Sequence, residues 1–401
     1  MIFIFCMYQH ISHVYAADTV WKIQSIDTMK LSRDKVQDKT VAIPLWVKKV
    51  ADLHANYIAI DTPYNEEFYP VLQQWVTQAR KNNLHVWFRG NFSEWEGWFN
   101  YPKMKNPNDD HALIKNFIFQ HPHLFEDGDI FTPVPEAENG VIGDPRSSSE
   151  AAIQFNQFLV TSYVNCSQSF AAINKHVGCG YFSMNGDVAN MVLTQSTLQQ
   201  IGNVIVIDHY VDSPEKMGQE IDYLHTKFPT AIIVLGEFGA PIPTINPDMT
   251  DIEQATFVDE LLQQMYAHRS IVMGSNYWTL SGGSTALFYD DLTPHLTTEV
   301  IKKYYLPNVW KGKIIDAFND PISYADITVN STDPISSKDG VYSIVTTKHD
   351  MVITIHVSGY QQKVQEISFM NGRIVNQSII LTPTKPDFWN LLQLFLKSLF
   401  L

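Results

Sequence analysis

The chain reads Ala231-Ile232-Ile233-Val234-Leu235-Gly236-Glu237 and continues Phe238-Gly239-Ala240-Pro241. An unbroken apolar run of this length, bounded by glycine, is typical of a strand that is buried on both faces. Glu237 comes directly after the run, between Gly236 and Gly239, which permit tight turns and the close approach of a ligand. The stretch therefore predicts a buried parallel strand that ends in a carboxylate.

A similar unit recurs on both sides of this stretch: a short run rich in β-branched and aromatic residues, then a loop, then a segment with helical periodicity. The runs are Trp21–Met29, Tyr57–Asp61, His85–Gly90, Asp129–Pro133, Gly180–Asn185, Val204–His209, Ala231–Glu237 and Ile271–Trp278. Helical periodicity follows in segments such as Glu66–Asn83, Ser148–Ile173, Pro214–Phe228, Asp251–His268 and Thr297–Tyr305. This alternation predicts parallel strands joined by crossover helices. Eight such units over residues 18–310 match the size and rhythm of a (β/α)8 TIM barrel.

The pattern changes after Pro307, where the apolar runs become short and alternate with polar residues. The runs are Ile327–Val329, Val341–Val345, Met351–Val357, Val364–Phe369 and Gln377–Leu381. Turn dipeptides such as Asp339-Gly340 and Asn371-Gly372 punctuate them. Residues 314–382 are therefore predicted to form a small all-β sandwich domain.

Both ends of the chain are hydrophobic. We expect a signal peptide over residues 1–17, where an apolar stretch leads to the small residues Ala16-Ala17, although no Lys or Arg precedes it and a mis-started N-terminus is the alternative. Residues 383–401 include the apolar run Phe388–Leu401, which is an interfacial or truncated membrane anchor or, alternatively, a helix that docks on its own protein. The expected location is outside the cell or at its surface.

Composition excludes several function classes. The chain has 401 residues, with 28 Lys plus Arg against 42 Asp plus Glu, and its net charge is −14. No basic run offers a path for phosphates, so nucleic acid is excluded as a partner. There is no His-Glu-x-x-His motif, Gly-x-Ser-x-Gly elbow or Walker loop, so we expect no metal and no cofactor. Cys166 and Cys179 could pair in an exported protein, but two buried free thiols are the preferred expectation.

Two carboxylates stand where barrel enzymes carry their chemistry, at the C-terminal ends of strands. Glu237 ends the seventh run, and Pro133-Val134-Pro135-Glu136-Ala137-Glu138 follows the fourth. Strands four and seven face each other across an eight-stranded barrel. A facing pair of carboxyl groups is what a glycosidase needs, one to protonate the leaving oxygen and one to attack the anomeric carbon.

At these positions residues 20–306 resemble the clan A glycoside hydrolases, the cellulase-like TIM-barrel enzymes. The match is most specific at "VLGEFGAP", and Asp208-His209-Tyr210 is similar to the family's His-x-Tyr neighbourhood without its intervening residue. The resemblance implies that Glu237 is the nucleophile and Glu136 the acid/base. The usual Asn-Glu pair is replaced by Pro135-Glu136, so Glu138 stays an alternative, with Glu136 preferred for its position after the strand.

The resemblance further implies a retaining mechanism with the two carboxyl groups about 5–5.5 Å apart. Glu136 is then expected to have a raised pKa, while Glu237 stays ionised near donors. The residues expected to assist or to contact an oligo- or polysaccharide are Arg89, Trp95, Trp98, Glu138, Asn185, His209, Tyr210 and Trp278.

The C-terminal stretch from "DPISYADITVN" to "MVITIHVSGYQ" resembles carboxypeptidase-regulatory-like domains, which implies a spacer or binding module. Two alternatives to a glycosidase stay open. One is a carbohydrate-binding or surface-display protein whose barrel has lost activity. The other is a barrel enzyme that acts on a different substrate, because fold alone does not set function.

Overall fold

The computed structural model describes residues 19–330, 335–337, 339–369 and 373–384. The expected signal peptide and the apolar run Phe388–Leu401 lie outside these residues. The chain divides into two compact units, Trp21–Tyr305 and the part that starts at Leu306. No helix in the described ranges is long and apolar enough to cross a membrane.

The first unit is the expected barrel, and its eight strands are all parallel. They are β1 (Ile23–Asp27), β2 (Tyr57–Ile60), β3 (His85–Phe88), β4 (Ile130–Phe131), β5 (Ser183–Asn185), β6 (Val204–Asp208), β7 (Ile232–Phe238) and β8 (Val272–Tyr277). The order around the sheet is β4-β3-β2-β1-β8-β7-β6-β5. Each predicted run overlaps one of these strands, so the fold prediction is confirmed.

The barrel closes between β4 and β5 through irregular backbone. The amide of Phe131 donates to the carbonyl of Gly178 over 2.8 Å, and the amide of Gly178 donates to Asp129 over 2.9 Å. The Thr132 hydroxyl adds a bond to the carbonyl of Tyr181 at 2.7 Å. This irregular closure leaves β4 with only two strand residues, fewer than the apolar run predicts.

Helices cover the outside of the barrel. They are α1 (Met29–Ser32), α2 (Ile43–Asp52), α3 (Tyr69–Lys81), α4 (Asp109–Gln120), α5 (Ser149–Ala172), α6 (Gly186–Val192), α7 (Gln195–Gln200), α8 (Pro214–Lys227), α9 (Asp251–Ala267) and α10 (Thr297–Tyr305). Side-chain hydrogen bonds cap the N-termini of three of these helices. The hydroxyls of Ser148 and Thr194 cap α5 and α7, and Thr250 with Glu253 forms a capping box on α9.

Cys166 of α5 and Cys179, which precedes β5, form a disulfide with their Cα atoms 6.0 Å apart. The expectation of two free thiols is therefore wrong. The 13-residue separation does not reveal the pairing, because the turn after α5 is what returns the chain alongside the helix.

The second unit contains two small sheets over one apolar core. The strands are β9 (Asn308–Ile315), β10 (Ala325–Val329), β11 (Ile335–Ser337), β12 (Val341–Thr346), β13 (Asp350–His356), β14 (Lys363–Ser368), β15 (Ile374–Asn376) and β16 (Ile379–Ile380). One sheet has the order β11-β10-β13-β14 and the other β12-β9-β15, with β16 also on β9. Trp310 of β9 and Ile353 of β13 are among the core residues that the two sheets share.

Strand β9 is absent from the sequence prediction and spans the boundary placed between residues 310 and 314. Lys311, Gly312 and Lys313 interrupt its apolar pattern. Pairing with β12 on one side and with β15 and β16 on the other nevertheless makes it a central strand. The resemblance of this unit to carboxypeptidase-regulatory-like domains stays a prediction.

Candidate active site

The C-terminal ends of the strands bring six charged groups into one buried layer. Asp27 ends β1, Asp208 ends β6 and Glu237 lies in β7. The other three groups belong to residues that follow the end of a strand. Those are Asp61 after β2, Arg89 after β3 and Glu136 after β4. All of these except Glu136, which is half-buried, are almost completely removed from solvent.

Arg89 lies at the centre of this layer. Its Nη2 contacts Glu237 Oε1 at 2.7 Å, and its Nη1 donates to the carbonyl of Gly236 at 2.5 Å. Carboxylate oxygens of Asp27, Asp208 and Asp61 lie farther out, at 3.7, 3.8 and 3.9 Å. One guanidinium thus faces four carboxyl groups, and Glu237 is its closest partner.

Glu237 is held at both carboxylate oxygens. Arg89 donates to Oε1, and the Tyr210 hydroxyl donates to Oε2 at 2.7 Å. The orientation of this side chain is thereby fixed from strands on two sides of the barrel. His209 contributes only its backbone amide, which donates to the carbonyl of Glu237 at 2.8 Å.

Glu136 approaches Glu237 from the loop after β4. Its backbone adopts a left-handed conformation with φ 44° and ψ 53°, which is uncommon for a residue other than glycine and often accompanies functional sites. Its amide donates to the carbonyl of Ser183 in β5 at 3.0 Å. One carboxylate oxygen from each of Glu136, Asp208 and Glu237 lies within 4.8 Å of the other two.

Glu138, the alternative to Glu136, has a different environment. Its Oε1 accepts from the backbone amide of Asn185 at 3.0 Å and from the Asn185 side chain at 3.3 Å. Asn185 thus holds this carboxyl beside β5. Of the two glutamates, the tertiary structure brings Glu136 into the group with Glu237.

Burial and mutual repulsion raise the carboxyl pKa values in this layer. Burial raises the pKa of Glu237 to about 8, against the opposing effect of Arg89. It also raises the pKa of Glu136 and Asp208, again against Arg89. The raised pKa of Glu237 differs from the expectation of a carboxylate that is fully ionised at neutral pH. The physical reason is that several buried acids share one guanidinium.

His209 differs from its expected role. Burial lowers its pKa to about 4, so the ring is neutral at pH 7, and its Nε2 has no hydrogen-bond partner among the described residues. Its side chain therefore does not supply a positive charge beside Glu237. Tyr210 and Arg89 are the side chains that do contact this carboxylate.

The tryptophans have three different environments. Trp95 is 0% exposed and stacks on Phe158 at 5.4 Å, so it packs beneath the loop after β3 and is not available to a ligand. This corrects the expectation of a cleft position, which loop location alone suggested. Trp98 is half-buried with the Arg33 guanidinium over its ring at 4.7 Å. Trp278 is half-buried and meets Tyr210 edge-on at 6.1 Å.

Asp27, Asp61 and Asp208 were not singled out from the sequence. The signal that could have found them is the one that found Glu237, a polar residue directly at the end of an apolar strand. Asp27 accepts from the Met29 amide at 2.7 Å and the Asn276 side chain at 2.9 Å. Both oxygens of Asp208, in contrast, are buried without a hydrogen-bond partner in the described structure.

Three clustered carboxylates are also the ligand type that hard divalent cations prefer. Here the guanidinium of Arg89 lies 2.7 Å from Glu237 and 3.8 Å from Asp208. Its permanent positive charge opposes a second cation at the same place. The arrangement is better suited to proton transfer and nucleophilic attack.

Comparison with known proteins gives a likeness of fold. No family model matches the sequence, and neither does any curated protein. A glycoside hydrolase family 5, subfamily 18 variant from Bifidobacterium longum subsp. longum, in complex with Manβ1-4GlcNAc, aligns with TM-score 0.54 and 12% identity over 75% of this chain and 84% of that chain.

Two further family 5 structures align similarly. A xyloglucanase from Paenibacillus pabuli in complex with ligand has TM-score 0.54 and 13% identity over 71% of this chain and 98% of its own. A trimodular subfamily 4 endoglucanase has TM-score 0.52 and 12% identity over 88% of this chain and 78% of its own. These neighbours are glycoside hydrolases of clan A, and at such identity they establish the barrel fold of this chain.

Proposed function

We propose that the protein is a glycoside hydrolase that cleaves O-glycosidic bonds with retention of configuration. The observation that carries this proposal is that one carboxylate oxygen of Glu136 lies within 4.8 Å of one carboxylate oxygen of Glu237 at the C-terminal end of the barrel. Retaining glycosidases separate their two carboxyl groups by about 5–5.5 Å, whereas inverting enzymes need about 6.5–9.5 Å to admit a water molecule.

In the first step Glu237 attacks the anomeric carbon and forms a glycosyl ester. The bond from that carbon to the leaving oxygen breaks, and Glu136 gives its proton to the leaving oxygen. Arg89 and Tyr210 hold the attacking carboxylate in place through their contacts at 2.7 Å. Their fixed geometry avoids a reorganisation cost during the reaction.

In the second step the Glu136 carboxylate takes a proton from water. The resulting hydroxide oxygen bonds to the anomeric carbon, the ester bond to Glu237 breaks, and Glu237 leaves as a carboxylate. The reactive form requires Glu237 ionised and Glu136 protonated. Because burial raises both pKa values, activity should rise with pH as Glu237 ionises and fall as Glu136 loses its proton.

Neutral polysaccharides are the proposed substrate class. The family 5 neighbours include a complex with Manβ1-4GlcNAc, a xyloglucanase and an endoglucanase, which makes β-linked glucans and mannans the first candidates. The acidic layer around Arg89 supports uncharged sugars, because a substrate carboxylate would add a further acid to a buried layer in which one guanidinium already faces four carboxyl groups.

The test is trapping with 2-deoxy-2-fluoro glycosyl fluorides of glucose and mannose, followed by peptide mapping. We expect a covalent label on Glu237 and loss of the label in Glu237→Gln. Glu136→Ala should hydrolyse glycosides with poor leaving groups at least 100-fold more slowly, with partial rescue by azide, because the general acid is missing. A Glu138→Ala variant is the matched control. It should retain its hydrolysis rate, and azide should not change that rate.

No label with any fluorosugar, together with no hydrolysis of a broad glycoside panel, would contradict the proposal. Sugar binding without turnover would then favour the inactive carbohydrate-binding protein. A label on Glu237 combined with wild-type leaving-group dependence in Glu136→Ala would move the acid/base role to another residue.

We also propose that the protein is exported or displayed at the cell surface. The Cys166–Cys179 disulfide supports this, because such bonds persist in oxidising compartments and are rare in the cytosol. Fractionation of producing cells, with mass spectrometry of the isolated protein, tests it. A cytosolic protein with both thiols free would overturn the proposal.

A further inference from the structure

Two half-buried tryptophans that follow barrel strands each have a cation over the indole ring. The Nζ atom of Lys30 lies 5.7 Å from the ring centre of Trp278, which comes directly after β8. The guanidinium of Arg33 lies 4.7 Å from the ring centre of Trp98, in the loop after β3. In the sheet order these two strands stand on either side of β1, and both cations come from the segment that follows β1.

One carboxylate joins the two cations. Lys30 Nζ donates to Asp34 Oδ2 at 3.0 Å, and Arg33 Nε donates to Asp34 Oδ1 at 2.9 Å. In the described part of the chain neither cation has an ion pair with another carboxylate within 4 Å. Partial burial opposes ionisation, but Arg33 and Lys30 hold the pKa of Asp34 below its ordinary value. Asp34 is therefore charged at neutral pH and binds both cations at once.

The turn that carries these three residues is fixed to the ends of two strands. The amide of Met29 in α1 donates to Asp27 Oδ1 at 2.7 Å, at the end of β1. The Ser32 hydroxyl accepts from the amide of Asp61 at 3.0 Å, and the Ser32 carbonyl accepts from the Thr62 hydroxyl at 2.8 Å. Both of those residues follow β2. Asp34 thus extends from a well-anchored turn, which is the kind of support that defined side-chain positions require.

A restrained cation is needed because lysine and arginine side chains are long and flexible. Without a partner such a side chain samples several rotamers, and the weak attraction between a cation and a ring does not overcome that entropy. Asp34 restrains two of these side chains with one group. A cation on one face of an indole leaves the opposite face as the surface on which a sugar ring can pack.

We propose that Asp34 is a positioning residue of the active site. Through the cations of Lys30 and Arg33 it holds two tryptophan rings, both predicted from the sequence to contact substrate, in the arrangement that binds a sugar. This inference rests on the proposed function and gives Asp34 no contact with the reacting atoms. Loss of its carboxylate should free both cations and weaken substrate binding, while the two catalytic glutamates stay in place.

Helix α2 offers a matched control. Lys48 and Asp52 form an ion pair at 2.7 Å with the same i, i+4 spacing as Lys30 and Asp34. Lys48 has no aromatic ring beneath its ammonium group among the described residues. Asp52→Asn therefore removes an equivalent ion pair without releasing a tryptophan.

The first measurement is acrylamide quenching of tryptophan fluorescence in the full chain. The described tryptophans other than Trp98 and Trp278 are buried, so these two dominate the change. Asp34→Asn should raise the quenching constant about twofold, because both rings lose the cation that covers one face. Asp34→Glu keeps the charge and should restore most of the protection. Asp52→Asn should have no effect.

A tryptophan-free background assigns the signal. In the double variant Trp98→Phe/Trp278→Phe, adding Asp34→Asn should leave the remaining quenching unchanged. Trp389 lies outside the described residues and is present in every variant, so it does not contribute to the differences. An effect of Asp34→Asn that persists in this background would overturn the assignment to the two rings.

The second measurement separates KM from kcat for cellopentaose and mannopentaose, each at the pH optimum of the variant. Asp34→Asn should raise KM about two- to fivefold and change kcat by less than about twofold, because substrate binding and not the reacting carboxylates is affected. Asp34→Glu should restore KM, and Asp52→Asn should change neither value. A lower kcat with unchanged KM would overturn the positioning role.

The two proposals fail in distinguishable ways. Unchanged quenching in Asp34→Asn overturns the positioning role whether or not the protein hydrolyses glycosides. Altered quenching in a protein that hydrolyses no glycoside supports the hold of Asp34 on the two rings and overturns the proposed function. Hydrolysis with a KM that Asp34→Asn leaves unchanged overturns the positioning role and leaves the glycosidase standing.

Discussion

Arg89 determines the electrostatics of the candidate site. Four carboxyl groups lie within 4 Å of its side-chain nitrogens, yet only Glu237 is at hydrogen-bond distance. A single guanidinium cannot neutralise all of them, so protons are shared across the layer and its titration belongs to the group as a whole. Removing the arginine would leave buried acids without a counter-charge, which is strongly destabilising.

Tyr210 provides a direct test of this titration. Its hydroxyl donates to Glu237 and holds the pKa of that carboxyl below the value that burial alone would set. Tyr210→Phe should therefore move the rising limb of the kcat/KM pH profile to higher pH, by roughly one unit for one lost charge-assisted bond.

Tyr305→Phe is the control for that measurement. Tyr305 is buried, and its hydroxyl donates to the carbonyl of Ser25 at 3.0 Å and does not touch Glu237. Its pH profile should coincide with that of the unmodified protein. A rising limb that stays in place in Tyr210→Phe would show that ionisation of Glu237 does not set it.

Asp110 gives a prediction for stability. It is 0% exposed on α4, both its oxygens lack a partner in the described structure, and burial raises its pKa to about 8 from 3.8. Between these values the unfolded chain has released the proton and the folded chain retains it. Stability is therefore lost as pH rises from about 4 to about 8.

Asp110→Asn removes this penalty. Relative to the unmodified protein, its free energy of unfolding should increase between pH 4 and pH 8 by up to about 5 kcal/mol, measured by denaturant titration. The exposed neighbour provides the control Asp109→Asn, which should show no such trend. If the free energies of unfolding of Asp110→Asn and of the unmodified protein differed by the same amount at pH 4 and pH 8, Asp110 would not be the source of the pH dependence.

At the scale of elements, the ends of β6 and β7 fit together through Gly236. A Cβ at this position would lie 2.4 Å from Asp208 Oδ1 and 2.7 Å from a Val206 methyl carbon. The absence of a side chain therefore lets the two strands place Asp208 and Glu237 side by side. The sequence suggested that this glycine permits close approach, and the neighbour it admits is another carboxyl of the site.

Gly236→Ala should destabilise the barrel by about 1–3 kcal/mol, because the added methyl group overpacks a closed layer. It should also lower activity by displacing Glu237. Thermal unfolding and kcat/KM measure the two effects. Gly186→Ala is the control for stability, since its Cβ would meet its nearest neighbour at an ordinary 3.5 Å. Equal melting temperatures for the two variants would contradict this packing argument.

At the scale of the whole molecule, the disulfide links α5 to the segment that closes the barrel. Cys179 is adjacent to Gly178, whose backbone bonds to Asp129 and Phe131 join the two edges of the sheet. The disulfide lowers the conformational entropy of the unfolded chain. In the folded protein it restrains the region next to β4, which is only two residues long.

Reduction should lower the free energy of unfolding by about 2–4 kcal/mol, which thermal unfolding with and without dithiothreitol measures. The double variant Cys166→Ala/Cys179→Ala should melt at the temperature of the reduced protein and should not respond to reductant. Identical melting of oxidised and fully reduced protein would show that the bond contributes nothing to stability.

The sequence by itself determined the barrel, the following sandwich and the strand ends on which Glu237 and Arg89 lie. These follow from local patterns, because a parallel strand that is buried on both faces is typically a near-continuous apolar run, and a polar residue directly after such a run marks the end of the strand. Strand β9 escaped this reasoning because Lys311, Gly312 and Lys313 break its pattern, and only its neighbours make it a strand.

Only the tertiary structure decided which groups meet. The approach of Glu136 to Glu237, the contact of Glu138 with Asn185, the burial of Trp95 and the Cys166–Cys179 bond all depend on contacts between residues far apart in the chain. The same holds for the three aspartates around Arg89. Such contacts leave no periodic signal, because they are set by how strands close into a barrel and how its loops fold over the rim.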